Sequence, residues 1–195
     1  MVRHDISLLS DDDLHFFNEG THYRMYRQFG AHSLTAEGVE GAYFAVWAPN
    51  AERVCVMGDF NGWNKASHQL QARGFSGVWE GFVPGVRPGM KYKFQVASRY
   101  QGYQIDKTDP FAFYNEVAPQ NASIVWKLDY SWGDREWAER RHTHNSRESP
   151  ISIYEVHLGS WMRSPDDPDR FLSYRDIAPK LAAYVEKMGF THVEL

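Results

Sequence analysis

From residue 41 to residue 126 the chain is a succession of short apolar runs separated by Pro-Asn and Pro-Gly pairs, with no helical stretch between them. Runs this short suit strands, and the turn pairs make the chain reverse. Residues 41–47 stop at Pro49-Asn50, residues 53–58 follow, residues 77–83 end at Pro84-Gly85, and residues 122–126 close the series. Between them, residues 91–97 alternate: Tyr92, Phe94 and Val96 point one way, and Lys91, Lys93 and Gln95 the other. The series predicts an antiparallel β-sandwich at about 36–128.

Both flanks differ. Residues 1–35 form a helical lead-in. Asp11-Asp12-Asp13 is an acidic, solvated first turn before apolar residues, and Tyr23, Tyr26 and Phe29 recur at helical spacing up to Gly30, a candidate C-cap. Residues 129–149 are polar and read as a linker. At Pro150 the pattern changes to a largely buried strand over 151–158. A helix with Ile177, Leu181, Tyr184, Val185 and Met188 on one face follows, and then a strand from Phe190. Asp176 is the expected N-cap, because Pro179 suits only a helix's first turn. Strand, helix, strand is a unit of a parallel sheet, too small to cover both faces of its strands. Residues 150–195 therefore read as the first β-α-β of a larger domain cut short.

Composition narrows the function. A net charge of −4 with no basic stripe argues against nucleic acid as the main partner. No long uncharged apolar run and no signal-peptide pattern is present, so neither a spanning helix nor a leader is expected. The single Cys55 allows no internal disulfide, fits a cytoplasmic protein, and lies in an apolar run as a buried, inert thiol. No phosphate-binding glycine motif occurs, and no cofactor is implied. His142 and His144 lack further ligands nearby in sequence, so no metal is expected. The aromatic share, 15 %, is high: many of these residues must pack a core, and some could be platforms for a flat, uncharged ligand.

The foremost candidate platform is Trp63, in Gly58-Asp59-Phe60-Asn61-Gly62-Trp63-Asn64 directly after a strand. An exposed indole at this turn can stack on the C–H face of a glucose ring. The competing role is capping the sandwich core. Lys93, Tyr100 and Tyr103 could complete the surface, against solvated-face and loop-packing roles. Asn121 is either a turn residue or a hydroxyl contact. Glu155 and His157, on the later strand, are balanced between a barrel-mouth role and a structural one.

Tyr154-Glu155-Val156-His157-Leu158-Gly159-Ser160-Trp161 resembles the first barrel strand and loop of bacterial-type 1,4-α-glucan branching enzymes. Tyr26-Arg27-Gln28-Phe29-Gly30-Ala31-His32, Ser173-Tyr174-Arg175-Asp176 and Gly189-Phe190-Thr191-His192-Val193-Glu194-Leu195 resemble other segments of that family. The turn containing Trp63, with Tyr92-Lys93-Phe94 and Asp106-Lys107-Thr108-Asp109-Pro110, resembles the family 48 carbohydrate-binding module, an immunoglobulin-like sandwich. The resemblance implies a mainly β chain whose last segment starts a family 13 (β/α)₈ barrel.

By that resemblance the parent enzyme cuts an α-1,4 linkage and transfers the chain to a 6-hydroxyl by a retaining, two-carboxylate mechanism. The carboxylates follow later barrel strands, so no catalytic residue of this chain is implied and the chain alone is expected to be inactive. The implied partner is an α-glucan, and the parent is expected to be a monomer. Trp63, Lys93, Tyr103 and Asn121 match the module's glucan contacts, Tyr103 least well because its loop differs. Three other classes remain: a stand-alone α-glucan-binding protein, the N-terminal part of a debranching or trehalose-forming relative, and a purely structural sandwich that positions the barrel. The motif at 154–161 speaks against the first two.

Overall fold

The computed structural model describes residues 1–144 and 146–195, His144 by its backbone only. It divides into two compact units, Met1–Tyr130 and Ser131–Leu195.

In the first unit, helix α1 (Asp11–Glu19) starts at a capping box. Ser10 Oγ accepts from Asp13 N, and the Asp13 carboxylate accepts back from Ser10 N. Nine strands follow: β1 (Gly30–Ala36), β2 (Val39–Trp47), β3 (Ala51–Gly58), β4 (Gln71–Ala72), β5 (Val78–Pro84), β6 (Lys91–Ser98), β7 (Gln104–Lys107), β8 (Tyr114–Asn115) and β9 (Ser123–Ile124). One sheet has the order β1-β2-β5-β4; the other runs β3-β6-β9-β8, with β7 also on β6. Every pairing in both is antiparallel.

The core between the sheets takes alternate residues of each strand: Ala42, Phe44 and Val46 from β2, Val54 and Val56 from β3, Trp79 and Val83 from β5, Tyr92 and Phe94 from β6. The other set on the first sheet is buried as well. Tyr43, Ala45, Val78 and Phe82 form a second core with Leu9, Met25 and Phe29 from the N-terminal segment. The lead-in is thus a third layer. This accounts for the unbroken apolar character of β2, which is buried on both faces.

The third layer is fastened by polar groups. Arg3 exchanges two backbone hydrogen bonds with Phe82, of 2.7 and 2.9 Å. The buried Glu80 carboxylate accepts from Ser7 Oγ at 2.8 Å and from Tyr43 OH, and pairs with Arg73 Nη1 at 3.0 Å. Phenol, hydroxyl and guanidinium together satisfy a carboxylate that could not otherwise lie buried at the sheet surface.

Two local expectations fail here. The helical spacing of Tyr23, Tyr26 and Phe29 yields only a 3₁₀ turn over Met25–Arg27, with Tyr23 and Tyr26 exposed. Gly30, at φ +99°, opens β1 rather than capping a helix, and a Cβ there would lie 2.9 Å from the Phe111 carbonyl oxygen.

In the second unit, helix α2 (Arg135–His144) occupies part of the stretch read as linker. Its exposed i,i+4 pairs, Arg135–Glu139 and Glu136–Arg140, let a polar segment be helical without an apolar face. Strand β10 (Ile153–Glu155), the short helix α3 (Leu158–Trp161), helix α4 (Tyr174–Met188) and strand β11 (His192–Glu194) complete the chain. β10 and β11 pair in parallel, so residues 153–194 contain a β-α-β unit.

Its core is small: Val156, Ile177 and Leu181. The strand at 151–158 is shorter and more exposed than its sequence implied. It ends at Glu155, Leu158 opens the helical turn, and Ile151 and Ile153 are exposed, because two strands and one helix cover only one side.

The cap of α4 also differs. Ser173 is the N-cap, and Asp176 is its partner in a second capping box. Pro179 therefore lies beyond the first turn, where its missing N–H falls on an exposed stretch.

Candidate functional site

β3 ends at Gly58 against Tyr92, where a Cβ would come within 2.1 Å of the Lys91 carbonyl oxygen. Only glycine allows β6 to approach so closely. A 3₁₀ turn over Asp59–Asn61 follows, and then two consecutive left-handed residues, Gly62 at φ +60° and Trp63 at φ +61°. A tryptophan in this region costs about 1–2 kcal/mol, so the turn is held by its neighbours.

Asn61 supplies much of that hold. Its Oδ1 accepts from Gly58 N at 2.9 Å, and its Nδ2 donates to the Val56 carbonyl at 3.1 Å and lies 3.0 Å from His68 Nδ1. Burial keeps the His68 imidazole below its ordinary pKa.

Phe60 and Trp63 then divide the roles that the sequence left open. Phe60 packs against the core, 6.0 Å from the Phe44 ring. Trp63 stands outside that core, 36 % exposed, with Trp63 N donating to the Gly58 carbonyl at 2.9 Å and Nε1 donating to Asp59 Oδ1 at 3.1 Å.

The rest of the loop bends over the outer face of the second sheet. Cys55, Gln95 and Asp106 stand in one row across β3, β6 and β7, on the face away from the core. Lys65 Nζ reaches Asp106 Oδ2 at 2.6 Å. The loop therefore covers that row, which is why Cys55 and the polar Gln95 are buried on an outward face. Burial also raises the Cys55 thiol pKa.

Beside it, Lys93 Nζ donates to Asn121 Oδ1. Asn121 is fixed by its surroundings: Thr108 Oγ1 donates to its carbonyl at 2.6 Å, and Ala122 N donates to Glu116 Oε2 at 3.0 Å. Glu116 pairs with Lys91 at 2.6 Å, and that contact holds its carboxyl below the ordinary range. The segment Asp106-Lys107-Thr108-Asp109-Pro110 is thus a brace for this loop. Asp109 extends it into the core. It accepts from Tyr92 OH at 2.6 Å and from Phe111 N at 2.8 Å, and burial pushes its carboxyl up to about 6.

Lys93 and Asn121 are therefore in contact, and Trp63 rises from the same end of the sheet. Tyr103 does not join them. It closes the β6–β7 turn, donating its N–H to the Tyr100 carbonyl at 3.2 Å, while its own carbonyl accepts from Ser98 N. Ser98 is five residues along β6 from Lys93, about 17 Å of strand. Tyr103 and Tyr100 are exposed, and neither lines the concavity of about 380 Å³ formed by Gln69, Ala97, Gly102 and Gln104 among others.

Glu155 is exposed, and His157 caps the short helix α3, with Nδ1 3.1 Å from Ser160 Oγ. Among the described residues no three His, Cys, Asp or Glu side chains converge on a metal position, and no helix is long and apolar enough to cross a membrane. His142 and His144 lie in α2, and the His144 side chain and Asn145 are outside the described residues.

Sequence reasoning missed Asp59, Asn61 and the Lys65–Asp106 pair as organisers of the site. Asp59, Asn61 and Asp106 stand inside the motifs quoted above, but nothing in a sequence says which side chain each would bind.

Residues 28–112 match the model of the family described as carbohydrate-binding module 48 (isoamylase N-terminal domain). This span contains the Trp63 turn and Lys93 and stops before Asn121. The chain is also similar along nearly its whole length to 1,4-alpha-glucan branching enzymes GlgB. It is 51 % identical to that of Gloeobacter violaceus, covering 97 % of this chain and 26 % of the relative. With that of Aquifex aeolicus the identity is 50 %, over 96 % of this chain and 30 % of the relative. The chain thus spans between a quarter and a third of the length of the curated relatives it matches. A ligand-free structure of PulA from Klebsiella pneumoniae shares the fold over 69 % of this chain and 14 % of that one, with a TM-score of 0.50 and 22 % identity.

Proposed function

We propose that the chain is the N-terminal part of a 1,4-α-glucan branching enzyme, and that its sandwich binds α-glucan at the surface around Trp63, Lys93 and Asn121. The observation that carries this reading is the near-complete alignment of the chain, at about half identity, with the first quarter to third of enzymes of that name. In the whole protein, an α-1,4 linkage is cut and the released chain is joined to a 6-hydroxyl. The β-α-β unit of residues 153–194 is the start of the catalytic (β/α)₈ barrel, and the catalytic carboxylates belong to later strands.

At the glucan surface, the indole of Trp63 packs on the C–H face of a glucose ring, and Lys93 Nζ and the Asn121 carboxamide bond its hydroxyls. Neither Lys93 nor Asn121 needs to be recruited, since their mutual hydrogen bond already fixes both. Tyr103, at the far end of β6, meets only a glucan long enough to reach it. The protein works in the cytoplasm, needs no cofactor, and acts on glucan as a monomer.

Native gel mobility with and without glycogen in the gel tests the binding half of this reading. The unaltered chain is expected to be retarded, and Trp63→Ala to migrate freely. Retardation unchanged by Trp63→Ala would remove the site from this turn. Transfer activity from the purified chain would overturn the assignment of catalysis to later strands.

A further inference from the structure

The Asp59 carboxylate uses both of its oxygens. Oδ1 accepts from the indole Nε1 of Trp63 at 3.1 Å, and Oδ2 accepts from the backbone N of Lys91 at 2.8 Å. One side chain therefore ties the edge of the exposed indole to the strand that carries Lys93 two residues further on. The backbone of Trp63 is left-handed, and the residue is 36 % exposed and belongs to neither core of the first unit, so neither a favoured backbone well nor core packing fixes the ring plane. The carboxylate is what remains to set it. Asp59 is itself exposed and sits on the rim of the platform, not on its face.

We propose that Asp59 is a positioning residue that holds the Trp63 ring in its glucan-binding orientation. The inference rests on the glucan-binding reading above and adds a residue that none of the matched motifs singles out for a role. With the clamp in place, the indole loses little freedom when a sugar packs on it. Without it, the ring samples several rotamers, and binding has to select one.

The test is maltoheptaose titration of the full chain, alone and in a double-mutant cycle. Asp59→Ala is expected to weaken binding about three- to tenfold and to increase solvent exchange of the Trp63 indole proton, which Trp63→Phe identifies. Trp63→Phe keeps an aromatic face but has no N–H to clamp, so Asp59→Ala in that background is expected to cost nothing more. Asp59→Asn keeps one acceptor oxygen for two donors and moves both readouts the same way while preserving the turn if the alanine variant unfolds.

Two results would overturn the proposal. One is unchanged affinity in Asp59→Ala and Asp59→Asn while Trp63→Ala abolishes binding. The other is an equal loss with and without the indole N–H, which makes Asp59 a support of the turn only. No binding by the unaltered chain defeats the glucan reading itself, and so differs from a loss confined to the variants.

Discussion

Asp109 is a buried carboxyl whose chemistry departs from its type. Its carboxyl titrates near 3.8 in an unfolded chain and near 6 in the fold, because burial disfavours the charge more than the Tyr92 and Phe111 donors favour it. The folded state therefore binds the proton more tightly between those values. The stability this provides is complete below about 3.8 and is lost as pH rises through about 6. Replacing Asp109 by Asn removes the titration. The stability difference between variant and unaltered chain, from urea unfolding at closely spaced pH values, is expected to move in the variant's favour between pH 4 and 7. A flat difference across that window would place the titration elsewhere. Lys93→Met tests a polar group of the proposed site. It keeps the stem and removes the ammonium, so maltoheptaose affinity should fall at least about tenfold, as expected for one charge-assisted hydrogen bond, with thermal stability little changed.

At the level of elements, the strands with strong patterns were legible and the weak ones were not. Residues 91–97 alternate because one face meets the core, and β6 stands there at Lys91–Ser98. β1 and β7 escaped notice because Gly30–Ala36 and Gln104–Lys107 are half-polar and owe their extension to β2 and β6. The turn at residues 58–64 was legible as a turn, but whether Trp63 caps the core or stands out as a platform was left open, because the partition between Phe60 inward and Trp63 outward depends on left-handed torsions that no sequence pattern prints. Pattern offered Lys93 and Asn121 only as candidates against solvated-face and turn roles, and resemblance favoured them as contacts; their hydrogen bond joins positions 28 residues apart. Tyr103 shows where a sequence match lacks a length scale: the strand puts it about 17 Å from Lys93. Tyr103→Ala should accordingly leave affinity for maltotriose within twofold while weakening retardation by glycogen. Equal losses for both ligands would bring Tyr103 into the same subsite. The Ser173 cap of α4 has a simpler consequence. Ser173→Ala is expected to cost about 1 kcal/mol, seen as faster amide exchange in the first turn of α4.

Over the whole molecule, the two units differ in how much they bury. The first has two cores, one on each side of its first sheet, while the second relies on Val156, Ile177 and Leu181. Calorimetry should resolve two transitions, with Ser131–Leu195 melting first, and limited proteolysis should leave Met1–Tyr130 as the resistant product. A single cooperative transition would contradict this. The resistant unit should retain glycogen retardation, since every residue of the proposed site lies in it. The layer over the first sheet also sets an order in time. Ser7 bonds Glu80 across 73 residues of chain, so the segment made first docks on a strand made roughly 4–15 s later at ribosomal speed. During that interval Leu9, Met25 and Phe29 have no sheet to cover, and a nascent chain stalled before Val78 should recruit holdase chaperones that one stalled after Ser98 does not.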